Sequence, residues 1–130
     1  MAEALIPAER PALRAAVAAA PGSAGVTLVS VSVTRVDGKP GPFNCMLWLS
    51  DAATGAGFTA VTATGATVAG ASGVIIGTDL VAKKAWNIQT TVAGLFILSI
   101  TDTAKTPFVV CLEVEGRTYP LLTLATANYG

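Results

Sequence analysis

Three observations predict an all-β sandwich of about seven to nine strands: alternation of apolar and polar residues at period two, glycines at short intervals through the middle, and no long internal helical run. The clearest alternation sets Val29, Val31 and Val33 against Ser30, Ser32 and Thr34, as in a strand with one face buried and one wet. Val26 and Leu28 fall on the opposite parity, which predicts a bulge near Leu28 or Val29. In the next strand Phe43, Cys45, Leu47 and Leu49 share one face while Met46 and Trp48 take the other, so this strand should be central and covered on both sides. Gly65, Gly70, Gly73 and Gly77 cut the middle of the chain into short β-prone pieces. Residues 86–91, 95–101, 108–115 and 117–126 complete the strands, with Glu115-Gly116-Arg117 as a tight hairpin turn.

Residues 1–24 differ in kind, being alanine-rich with Pro7, Pro11 and Pro21 as punctuation. Pro11 suits a first helical position, so the stretch reads either as a frayed tail or as an arm that orders on a neighbouring subunit, with residues 12–20 as a short helix ended by Pro21-Gly22. At about ten residues such a helix needs a surface to dock on. The chain therefore divides into an N-terminal arm, 1–24, and a sandwich, 25–130. Ile6, Leu13 and Val17 are the arm's candidate contacts with a neighbouring protein.

The chain has 130 residues, 52% of them hydrophobic, enough for one domain with a real core. Only 12% are charged, against about a quarter in typical soluble domains, so Thr, Ser, Ala and Gly must cover much of the surface. Eight basic and eight acidic residues cancel, leaving no field to draw in nucleic acid or an anionic membrane. Histidine is absent, which removes the commonest general base and nitrogen ligand. No metal or cofactor is expected. Glu3, Glu9, Arg10 and Arg14 break any export-signal pattern, and the expected compartment is the cytosol, at least until assembly.

Few residues gather into a chemical pattern. Glu113 and Glu115 are two apart on one strand, the only close carboxylate pair, and an exposed strand face explains them. Asp37, Asp51 and Asp102 fall in turns, where an aspartate accepts bonds from nearby backbone N–H groups. Cys45 and Cys111 are expected to be buried thiols acting as small hydrophobes. No phosphate-binding glycine motif is present, and one Lys83-Lys84 pair beside Trp86 is too little for a nucleic-acid track.

The stretches VSVSVTRVDGKPGPFNCMLWLSDAATG and QTTVAGLFILSITDTAK resemble strands of immunoglobulin-like modules in bacterial and tailed-phage structural proteins. Asp37, Gly38 and Pro40 match the first turn of that pattern; Thr90, Gly94 and Phe96 match the second, with Thr91 where an aspartate is usual. WLSDAATGAG, LVAKKAW and TANYG add a likeness to small virion proteins. The resemblance covers roughly residues 26–115 and rests on turns. It implies an immunoglobulin-like sandwich and a non-enzymatic building block of the virion, a capsid decoration or other head- or tail-associated protein. Such a protein would be present in repeated copies, assembled in the host cytoplasm, and without catalytic residues. The alternative it implies is a carbohydrate- or cell-surface-binding module, with Trp86 or Tyr119 as a stacking platform. An enzyme using Glu113 and Glu115 ranks third.

Overall fold

The computed structural model describes residues 13–119 and 122–130. Two antiparallel sheets pack face to face as a β-sandwich. One holds β1 (Leu13–Pro21), β2 (Val26–Arg35), β4 (Thr67–Ala69) and β7 (Leu95–Thr101), in the order β1-β2-β7-β4. The other holds β3 (Asn44–Ser50), β5 (Val74–Ile75), β6 (Ala85–Gln89), β8 (Val109–Val114) and β9 (Arg117–Thr118), in the order β9-β8-β3-β6-β5. A last short strand, β10 (Leu122–Thr123), also pairs with β8 and leads into a 3-10 turn at Thr126–Asn128.

The parity of the sequence decides what each strand buries. Val29, Val31 and Val33 of β2 face Leu47 and Leu49 of β3, Trp86 and Ile88 of β6, Phe96, Leu98 and Ile100 of β7, and Leu112 and Val114 of β8 in a single core. Each such side chain, taken fully out of water, contributes about 1.5–3 kcal/mol before entropy is counted. The strand β3 is central, between β6 and β8, with Met46 and Trp48 half-buried on its other face. Short strands lie between the glycines, β4 between Gly65 and Gly70 and β5 between Gly73 and Gly77. The two-residue turn Glu115-Gly116 closes the β8–β9 hairpin with both residues at positive φ, 51° and 81°.

Two expectations are corrected. Residues 13–21 are not a helix but a nine-residue strand, paired along its whole length with β2 from Leu13↔Arg35 to Pro21↔Thr27. Leu13, Ala15, Val17 and Ala19 turn onto the core, so burial of one face overrides alanine's preference for helix. This part of the proposed arm therefore belongs to the sandwich, and Ile6 lies outside the described residues. The bulge near Leu28 is also absent: β2 keeps an unbroken register with both neighbours, and Val26 and Leu28 lie on its outer, half-buried face.

Candidate interaction surface

The register of the four-stranded sheet fixes which side chains share its outer face. One row reads Ala16, Ser32, Leu95; the next Ala18, Ser30, Ile97; the next Ala20, Leu28, Ser99, Val68; and the last brings Val26 beside Thr101. Arg14, beside Thr34 at one corner, is the only charged residue among these outward side chains. An antiparallel sheet with one wet face ordinarily clothes it in polar and charged residues. This one presents alanine, serine and aliphatic side chains, with Val68 51% exposed. Residues 52–78, which supply β4 and β5, contain no charged residue.

The other sheet is different outside. Glu113, Met46 and Asn87 form one row across β8, β3 and β6, with Asn44 and Gln89 in the next. Gln89 Nε2 donates to Asn44 Oδ1 at 3.2 Å. Asn44, Met46, Asn87 and Glu113 line a shallow groove of about 360 Å³ with Ile76 and Glu115, so the two glutamates do come to one place. Further along the same face the 51–59 loop folds back: Trp48 Nε1 donates to the Gly55 carbonyl at 3.1 Å and Ser50 Oγ to the Ala56 carbonyl at 3.0 Å. Among the described residues no three acidic, histidine or cysteine side chains gather as a metal site would require.

The motif residues have structural work. Asp37 Oδ1 accepts from the Lys39 N–H at 3.0 Å, and its carboxylate takes both Nε and Nη2 of Arg35, at 3.1 and 2.9 Å. The Arg35 and Lys39 bonds hold the exposed Asp37 carboxyl down at about 2. Beside this turn, Val33–Arg35 and Val92-Ala93 enclose a second groove of about 280 Å³. Thr90 Oγ1 accepts from the Phe43 N–H at 2.9 Å and Phe96 is in the core. Gly94 sits at φ +86° with its carbonyl accepting from Val33 N–H at 2.8 Å; a Cβ there would meet Val33 O at 1.9 Å. Only glycine fits that approach.

Of the residues singled out for binding, Leu13 and Val17 spend their buried side on the sandwich's own core, and Arg14, Ala16, Ala18 and Ala20 face outward instead. Trp86 is fully buried and offers no stacking platform, while Tyr119 is half-buried against the core with its hydroxyl enclosed. Cys45 and Cys111 are both buried free thiols in the same sheet, but on opposite faces: Cys45 points into the core, Cys111 outward beside Trp48. Burial pushes them up to about 12 and about 11. No family model, curated protein or solved structure matches this chain.

Proposed function

We propose that the chain is a non-enzymatic structural component of a phage virion, a capsid decoration or other head- or tail-associated protein, that acts by packing against neighbouring subunits. The observation that supports this most is the outer face of the β1-β2-β7-β4 sheet, which carries no charge but Arg14 at one corner. Apolar surface of that extent, framed by a neutral chain, gains free energy when covered and offers a charged ligand only Arg14 at its corner. In a particle, symmetry repeats one weak contact many times, so modest area per copy suffices. The phage assignment itself comes from the turn motifs and the sequence likeness, whereas packing comes from the face.

The test is to purify particles from a lysate of the cells that make the protein, band them by density, and quantify the chain by mass spectrometry. Many copies per particle, retained through high-salt washing, are expected. Recovery only in the soluble fraction would refute the assignment.

A further inference from the structure

The uncharged face carries relief as well as composition. In three of the four rows β2 and β7 pair one small side chain with one large one, Ser32 with Leu95, Ser30 with Ile97 and Ser99 with Leu28, while Val26 and Thr101 in the last are of like size. At the flanks Ala20 of β1 lies in the same row as Val68 of β4. Take a two-fold axis in the plane of contact, running along the strands midway between β2 and β7. It lays β2 of one copy over β7 of the other with every row matched. Ser30 then meets Ile97, Ser32 meets Leu95, Leu28 meets Ser99 and Ala20 meets Val68. At these four contacts a large side chain meets a small one, and each contact occurs twice, as an isologous interface requires.

We propose that the chain pairs face to face with a second copy of itself through the outer surface of the β1-β2-β7-β4 sheet, about that two-fold axis. The inference rests on the packing role above and names its first partner. Charge argues for a like partner. A strongly acidic or basic surface would be desolvated against this face with at most Arg14 at one corner to pair to, whereas a second copy brings an equally charge-poor centre. The two Arg14 residues fall roughly 17 Å apart from strand and sheet spacings, beyond the screening length of about 8 Å at physiological salt.

Area sets the strength of such a pair. Four strands at about 4.8 Å and seven residues at about 3.4 Å give a footprint of roughly 450 Å² per copy, or about 900 Å² for the pair before relief is added. Specific interfaces begin near 1,000 Å², so the pair should be stable but weak, in the micromolar range or above.

Sedimentation velocity of the full chain from micromolar to high-micromolar concentration tests this, with wild type against Ser30→Glu, whose folding is checked by thermal melting. A concentration-dependent dimer is expected, weakened at least ten-fold by Ser30→Glu. If that variant fails to fold, Ser32→Lys, at an exposed position, replaces it. Ser30→Cys supplies an independent reading. Sheets about 10 Å apart put the two copies of residue 30 about 11 Å from each other, so a short bis-maleimide should give homodimers. Asn87→Cys on the opposite outer face should not, and the buried native thiols stay silent. A chain that remains monomeric, a dimer indifferent to Ser30→Glu, or capture of a different protein by this face without self-pairing would each overturn the proposal. A monomer still found in particles would overturn the pairing and leave the packing role; a dimer that never enters particles would do the reverse.

Discussion

Thr27 points between the sheets from the first turn of β2, fully buried, and its hydroxyl has no hydrogen-bond partner among the described residues. A buried hydroxyl without a partner costs more than the bond it could make elsewhere. Thr27→Val keeps the shape and the β-branched preference for strand while removing the stranded group. It should stabilise the protein by about 1 kcal/mol, raising the melting midpoint by roughly 3–4 °C for a domain of this size. A lower midpoint would show that the hydroxyl is satisfied. At this scale the sequence was readable where geometry leaves one solution. Asp37-Gly38 announces its turn, and Gly94 belongs where no Cβ fits. Thr27 was not readable, because a threonine in an alternating strand looks the same whether it faces water or core.

Among the elements, β2 and β3 were legible because Val/Ser and Leu/Trp alternation gives each face a different chemistry. The strand β1 was not: alanines at 15, 16, 18, 19 and 20 put the same side chain on both faces, which erases the period of two and leaves only alanine's helical preference. Its register comes from β2, which the sequence of β1 alone cannot show. Asp102, at the end of β7, joins three segments. Its N–H donates to Gly25 O at 2.8 Å, and its buried carboxylate accepts from the N–H groups of Thr106 at 2.9 Å, Ala104 at 3.3 Å and Thr64 at 3.4 Å. Burial alone would raise this carboxyl, but the bonds from Thr106, Thr64 and Ala104 outweigh it and hold it below the usual range. A carboxyl lowered by folding stabilises the native state above the unfolded value of about 3.9, and that contribution fades as pH falls through the folded value. Asp102→Asn, which cannot accept at both positions, should therefore cost about 1–3 kcal/mol at pH 7. In melts from pH 7 to pH 2.5, its deficit against wild type should shrink below about pH 4. A deficit constant across that range would rule out the carboxylate's charge as the cause.

The whole molecule has two unlike exteriors, one holding Glu113, Asn44, Asn87 and Gln89, the other no charge but Arg14. The low charged fraction requires Thr, Ser, Ala and Gly to cover much of the surface, yet it does not locate the charge-poor face, because four separated segments contribute to it and only pairing register brings Ala18, Ser30 and Ile97 into one row. The opposite sheet, β9-β8-β3-β6-β5, separates the two thiols, Cys45 of β3 toward the core and Cys111 of β8 toward the outside. That separation makes the protein its own two-channel recorder of opening. Cys45 should be labelled only when the sheets part, whereas Cys111, on the outer face beside Trp48, should be released when the 51–59 loop bonded to Trp48 and Ser50 lifts with the core intact. In a time course of alkylation under mild denaturant, read by peptide mass, Cys111 should be modified first. Equal rates at both sites would mean that the molecule opens in one cooperative step, and the ratio of the two rates measures how far its outer layer acts as a separate unit.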